Sequence, residues 1–251
     1  MKKVFITDYI KDPNIEQKII GNKAKVICLN LENEKDFPDD IQDADGLLVW
    51  HTKISEFTIK KLKKCKAVIR YGVGSDNIDK KSLKKHNIIF ANTPDYGVDE
   101  VADTSSALIL NLVRKVSLYN NQTKEKLKSW QEEVINTDKL NDIKRTSDHK
   151  LGIIGLGRIG SALAIRMKKF KMEVGFYDPY IPSGYEKSFD IKRFDTIKEL
   201  IKASSIISIN AALNSETHSM VDEIFIKSLN EDTILINTAR GAIIKNLDII
   251  L

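Results

Sequence analysis

Short apolar runs rich in β-branched residues alternate with amphipathic segments from the first residues of the chain. VFITDY (4–9), AKVICLN (24–30), GLLVW (46–50), AVIR (67–70) and IIFAN (88–92) read as strands, and Asn14–Ile20, Ile54–Lys63 and Lys80–Lys85 between them carry helical spacing. Apolar runs without clean alternation suit strands covered on both faces, which predicts a parallel sheet with helices on each side. Val101, Leu108, Leu112, Val116 and Tyr119 then recur at helical intervals with no Gly or Pro between them, predicting one long linking helix over 98–127. Trp130 to Lys150 is polar and irregular and reads as a surface connection. A second alternating set follows. LGIIG (151–155), EVGFYD (173–178), SIISIN (205–210) and DTILINT (232–238) are predicted strands, with a further short one near Lys192–Phe194. Ile159–Phe170, Thr196–Lys202 and Ile224–Ser228 are predicted helices. The pattern divides the chain into two α/β domains, 1–97 and 98–251.

The chain's 251 residues are enough for two ordinary domains, and the 42% hydrophobic fraction is that of a globular protein. No apolar run approaches the roughly 18 residues that cross a bilayer, and MKKVFITDYI lacks the long apolar core of a signal peptide. A membrane is therefore not expected as a partner. Cys28 and Cys65 lie far apart without metal-type spacing, so free thiols in a reducing cytoplasm, and no metal, are expected. The net charge of +5 raises nucleic acid as a partner. The lysines of KKLKKCK (60–66), DKKSLKKH (79–86) and MKKFK (167–171) fall on helices or helix ends, where solvated lysine is common, so none is expected.

The richest stretch is KLGIIGLGRIGSALAIRMKKFKMEVGFYDPY (150–180). A G-x-G-x-x-G pattern alone is weak. Here Gly155, Gly157 and Gly160 follow a predicted strand and open a predicted helix, and Asp178 stands 18 positions beyond Gly160 at the end of the next strand. That context is the dinucleotide fingerprint. Gly155 permits a tight turn, Gly157 lets the backbone approach a pyrophosphate, and Gly160 lets helix pack on sheet. Leu156 lies within the turn, and the amides of Arg158 and Ile159 face the phosphates from a helix N-terminus. Asp178 would accept both adenosine ribose hydroxyls and repel a 2′-phosphate, which favours NAD over NADP. The bland alternative is a glycine-rich turn with no ligand.

Four blocks now stand in order: VIRYGVGSDNID (68–79), NTPDYGVDEVAD (92–103), LGIIGLGRIG (151–160) and ILINTARGAII (234–244). Together they resemble the signature blocks of the D-isomer-specific 2-hydroxyacid dehydrogenases. VDEVAD and FYDPY (176–180) look most like the branch that resembles C-terminal-binding proteins. The resemblance implies an N-terminal flavodoxin-like substrate domain, a Rossmann NAD-binding domain, a small 2-keto or 2-hydroxy acid in the cleft between them, and a homodimer. It implies that the backbone of Gly72, Val73 and Gly74, with Arg70 in that branch, binds the substrate carboxylate. Arg240 would hold carboxylate and carbonyl and polarise the latter, a task that suits a planar bidentate guanidinium. Thr238 and Ala239 would pack against the nicotinamide side. NAALNSET (210–217) matches the cofactor loop H-x-P-L-T-x-x-T, keeping Leu213 and Thr217 but replacing the other marked positions with Asn210, Ala212 and Asn214, with Ala211 between the first two. Those replacements put the loop's rigidity in question. Asn77 and Asp79 are expected to cap the next helix.

The family's acid/base histidine, the glutamate that orients it and an aspartate at the nicotinamide lie downstream of T-A-R-G. Residues 241–251 contain neither His nor Glu, and KNLDIIL (245–251) reads as the start of a helix. A Rossmann sheet of two halves has about six strands, and five are predicted here. An incomplete second domain is therefore expected. His51 and His218 lie in strand-end loops, and His86 and His149 read as surface turns; a lone histidine is usually not a catalytic acid. The main expectation is an NAD-dependent oxidoreductase. An NAD-binding regulatory scaffold, or an inactive fragment, is the alternative.

Overall fold

The computed structural model describes residues 1–125, 143–246 and 248. The chain forms two compact units, Met1–Gly97 and Val98–Leu251.

In the first unit the order is β1 (Lys2–Ile6), α1 (Asn14–Ile20), β2 (Ala24–Cys28), β3 (Gly46–Val49), α2 (Glu56–Ile59), β4 (Ala67–Arg70), α3 (Lys80–Lys85) and β5 (Ile89–Asn92). The strands form one parallel sheet in the order β2-β1-β3-β4-β5. This is the flavodoxin-like order, whose reversal falls between β1 and β3. Phe5, Leu47, Val49, Val68, Ile59 and Leu83 fill the core on the side of α2 and α3. In α3, KKSLKK, only Ser82 and Leu83 are buried, so its four lysines face solvent, and Asp79 caps it by accepting the Ser82 amide at 2.9 Å.

Two boundaries and one cap depart most from the sequence pattern, each for a local reason. β1 stops at Ile6, and Tyr9 adopts a left-handed φ of 61° that no strand sustains. The apolar segment 54–63 yields only the four-residue α2, because Ile54 bridges to Ile78 and Ser55 caps the helix at Phe57. Asn77 does not cap α3. Its Nδ2 donates to the carbonyls of Trp50 (3.3 Å) and Thr52 (3.0 Å), tying the loop after β3 to the segment after β4.

The second unit runs α4 (Val98–Val113), α5 (Val116–Glu125), β6 (Lys150–Ile154), α6 (Arg158–Lys169), β7 (Glu173–Tyr177), α7 (Tyr185–Phe189), β8 (Lys192–Arg193), α8 (Ile197–Ala203), β9 (Ile206–Ile209), α9 (Glu223–Ser228) and β10 (Ile234–Asn237). Its parallel strands are ordered β10-β9-β6-β7-β8. Numbered within the unit this is 3-2-1-4-5 read from the β8 edge, the nucleotide-binding order, with its reversal between β6 and β9. Both faces are covered. Leu151, Ile153 and Ile206 pack with Ile109, Leu163 and Met167, whereas Ile154, Ile207 and Ile209 pack with Leu200 and Ile201. Burying one such aliphatic side chain is worth about 1.5–3 kcal/mol, which explains why these strands read as unbroken apolar runs.

The expected single helix over 98–127 is two helices. Lys115 takes a φ of 52°, which ends α4, and Asn111 Oδ1 accepts the amide and hydroxyl of Ser117, both at 2.9 Å, at the start of α5. The last two residues of that prediction, most of the expected surface connection, and most of the expected final helix lie outside the described residues. The short α7 was not legible, being set between left-handed Gly184 and Asp190.

At the reversal point of the first sheet, Asp8 is fully buried. Its Oδ1 accepts the Trp50 amide at 3.0 Å and the Thr7 hydroxyl at 2.5 Å, and its Oδ2 accepts the amides of His51 (2.5 Å) and Thr52 (3.1 Å). Burial by itself would raise this carboxyl, but the four hydrogen bonds together outweigh it and hold Asp8 below the ordinary aspartate range. A pKa depressed by folding contributes stability that is present above the unfolded value of about 3.9 and is lost as pH falls through the folded one. Asp8→Asn should lower stability to urea by about 1–3 kcal/mol at pH 7. That deficit should shrink as pH drops below about 4; a deficit constant down to pH 3 would show that the charge is not what caps this loop.

Candidate functional site

At the reversal point of the second sheet, β6 delivers Ile154 into Gly155, whose φ is 91° and whose amide donates to the Tyr177 carbonyl at 2.9 Å. A β-carbon on Gly155 would stand 2.8 Å from the Ala211 nitrogen, and one on Gly160 would stand 2.2 Å from the Gly155 carbonyl oxygen. Only glycine fits either place, because real β-carbons do not approach backbone so closely. At Gly157, the N-cap of α6, the same construction meets nothing within 4 Å. The first turn of α6, starting with exposed Arg158 and half-buried Ile159, therefore sits directly on the turn, with open space above Gly157. Leu156 is buried and anchors the turn from below.

Asp178 closes one side. Its Oδ2 accepts the Leu156 amide and its Oδ1 the Tyr180 amide, both at 2.9 Å. A carboxylate offers about four lone-pair directions, so each oxygen keeps capacity for a ribose hydroxyl. Asn210 closes the other side. Its amide donates to Ile154 and its Nδ2 to the Ser208 hydroxyl at 3.0 Å, while its Oδ1 is buried with no protein partner. A buried acceptor left open is costly unless something supplies a donor. The cradle over Gly157 and this orphaned oxygen both fit a dinucleotide.

The loop 210–217 is closed by its own hydrogen bonds. Thr217 Oγ1 donates to the Ala212 carbonyl at 2.6 Å and accepts the Asn214 amide at 2.9 Å, and Asn214 Oδ1 accepts the amides of Glu216 and Thr217. Asn214 thus closes the loop on itself where a family threonine was expected.

After β10, Asn237 shapes the T-A-R-G turn. Its Oδ1 accepts the Ala239 amide at 3.1 Å and its Nδ2 donates to the Arg240 carbonyl at 2.9 Å. Thr238 Oγ1 shares a hydrogen bond of 2.7 Å with Ser105 Oγ of α4. Ser105 is fully buried and also donates to the Val101 carbonyl. Arg240 is half-buried and its Nη1 reaches the Ala239 carbonyl at 2.9 Å. Neither Asn237 nor Ser105 was picked out from sequence. Asn237 carries a signal, as a strand-ending Asn before a turn; Ser105 is an ordinary helix residue until its partner is seen.

In the first unit, β4 ends at Arg70, which is only 8% exposed. Its guanidinium folds back over Gly72, φ 137°, so closely that a β-carbon there would lie 1.5 Å from Nη1. Asn92 Nδ2 holds the Val73 carbonyl at 2.7 Å, and the Thr93 amide reaches the Gly72 carbonyl at 3.3 Å. Gly72, Val73 and half-buried Gly74 thus form a braced loop with a cation laid along it. The His51 ring stacks on Trp50 with centroids 5.9 Å apart. His86 Nδ1 donates to the Ser82 carbonyl at 2.9 Å, His149 meets Ser205 at 3.4 Å, and exposed His218 meets Ser219 at 3.0 Å. Among the described residues no group of three His, Cys, Asp or Glu could hold a metal ion, and no helix is long and apolar enough to cross a membrane.

A five-stranded nucleotide-order sheet, a glycine turn at its reversal point and an acid at the end of the next strand define a dinucleotide-binding α/β protein. Residues 106–250 match the family described as D-isomer specific 2-hydroxyacid dehydrogenase, NAD binding domain. The chain belongs to this NAD-dependent family. It is 32% identical over 247 residues to D-3-phosphoglycerate dehydrogenase of Methanocaldococcus jannaschii, covering 97% of this chain and 45% of that protein. It is 27% identical over 241 residues to C-terminal-binding protein 1 of Caenorhabditis elegans, covering 95% of this chain and 33% of that protein. The chain thus spans less than half the length of these curated relatives. Among solved structures, D-lactate dehydrogenase from Aquifex aeolicus, complexed with NAD and lactic acid, is similar with a TM-score of 0.86 and 26% identity, over 98% of this chain and 72% of that one.

Adding one methyl group tests the cradle. Gly160→Ala should push α6 off the turn, weakening NAD binding measured by calorimetry at least tenfold and costing about 1–3 kcal/mol of stability by overpacking. Wild-type NAD affinity in this variant would separate the glycine turn from cofactor binding.

Proposed function

We propose that the protein binds NAD through Gly155, Leu156, Gly157, Arg158, Ile159, Gly160, Asp178, Asn210, Ala211, Ala212, Thr217, Thr238 and Ala239, and serves hydride transfer between the cofactor and a small 2-keto or D-2-hydroxy acid. The observation that carries the cofactor half is the glycine turn closed by Asp178 on one side and the unpaired Asn210 Oδ1 on the other. When bound, NAD supplies or accepts the hydride. The rest is the work of side chains. Arg240, set in a turn that Asn237 and Ser105 hold from two directions, anchors the substrate carboxylate and draws charge onto the carbonyl oxygen. Arg70 and the loop Gly72–Gly74 supply a second carboxylate-binding element. Free Cys28 and Cys65 fit a reducing compartment such as the cytoplasm. Leu108 and Leu112, one turn apart on α4 and at least 40% exposed, support a homodimer through this face of the second unit.

A second reading, an NAD-binding scaffold without turnover, draws support from the similarity to a C-terminal-binding protein.

Two measurements on the 251-residue chain decide between them. NAD at 100 times its Kd should raise stability by about 2.7 kcal/mol, seen as a thermal shift. Oxalate, which needs no proton, should bind the NADH complex and lose at least tenfold in affinity in Arg240→Ala. A thermal shift without any oxalate binding would favour the scaffold, and no thermal shift would remove NAD from the account.

A further inference from the structure

Asp178 and Asn210 leave the two loops that flank the glycine turn, 178–184 after β7 and 210–220 after β9, on opposite sides of β6. These loops meet again above it. The hydroxyl of Tyr180 donates to Glu216 Oε2, a contact between side chains 36 positions apart. Each partner is pinned at its backbone: the Tyr180 amide on Asp178 Oδ1, the Glu216 amide on Asn214 Oδ1. The contacts close a ring. It runs from Tyr180 to Asp178, to Leu156 through its amide, through Gly155 to its close neighbour Ala211, and out along the loop to Glu216. In the proposed site the phosphates lie at Gly157 and the ribose at Asp178, so the adenine continues past Asp178, beside the two loops that the ring joins.

We infer that Tyr180 and Glu216 form a bridge across the adenosine end of the cofactor groove, and that this bridge competes with the incoming adenosine for the same opening. The inference rests on the NAD-binding reading and adds to it a device that sets affinity. The bond is of the strong kind, a neutral hydroxyl on a carboxylate. Glu216 pushes the Tyr180 hydroxyl above the ordinary tyrosine range, so it remains a donor at neutral pH. Tyr180 is 70% exposed, so water can take over both partners when the bridge parts, which keeps the barrier modest. Among the described residues both side chains are exposed and Tyr180 belongs to no core cluster.

Calorimetric titration of the whole chain with AMP, NAD and inorganic pyrophosphate tests it. Tyr180→Phe keeps the ring and loses the donor. It should tighten AMP and NAD two- to tenfold, the range set by one net hydrogen bond, and leave pyrophosphate, which needs only the turn, unchanged. Glu216→Ala should match it, and the double variant should add nothing further, as expected of partners in one interaction. Glu216→Gln, which still accepts, should stay near wild type. Unchanged or weakened AMP binding in Tyr180→Phe would overturn the bridge; weakening would mean that the pair clamps a bound nucleotide. Equal changes for pyrophosphate would also overturn it, because the effect would then be a general one on the fold. A wild-type chain that binds neither AMP nor NAD would overturn the cofactor reading, and the bridge with it.

Discussion

The close approach of α6 to the glycine turn is the constraint from which the second unit is built. A helix whose first turn touches the carbonyl of Gly155 through Gly160 cannot slide or tilt without leaving β6. The same face carries Leu163, Ala164 and Met167 into the core, where Ile109 and Val113 of α4 join them and fix the register of that helix. Arg166 also reaches Asp99 at 2.8 Å and Asp103 at 2.7 Å, exposed ion pairs that contribute little stability, typically 0–1 kcal/mol. That register carries Ser105 to Thr238. The glycine turn and the arginine turn, over 80 residues apart in sequence, are thereby parts of one packing arrangement.

Sequence patterning located every strand of both sheets, and the central strands, covered on both faces, are the ones that appear as apolar runs. The glycine turn was legible for a related reason: missing side chains leave a mark in the sequence. What escaped depended on single side chains acting on backbone. Asn111 and Lys115 break the long helix while leaving its apolar periodicity intact, so a reading based on period runs through the break. Asn77 sits where a cap is expected and instead braces a neighbouring loop.

The candidate site was legible to the same degree. Residues that belong to a recurrent motif stand out; their supports do not. Ser105 holds the arginine turn and Asn92 the loop at Gly72–Gly74 through contacts that carry no local signature, whereas Asn237 is marked only as a strand-ending Asn before a turn. The cofactor loop shows the converse. Departures from the expected pattern at Asn214 suggested a looser segment, yet an Asn side chain accepting two amides and a Thr hydroxyl bonded to Ala212 give the loop its own internal closure.

The chain carries two parallel sheets, and each has a reversal of strand order, the place where such sheets receive anions. They do not compete for the same ligand. In the first unit three adjacent amides converge after β3, an arrangement that elsewhere would suit a phosphate, but the carboxylate of Asp8 already fills it from within. A nucleotide approaching that end of the sheet meets a negative group with its donors taken. An internal acid thus leaves the two reversal points chemically unlike: the amides after β3 are already occupied, whereas the glycine turn after β6 keeps open space above Gly157.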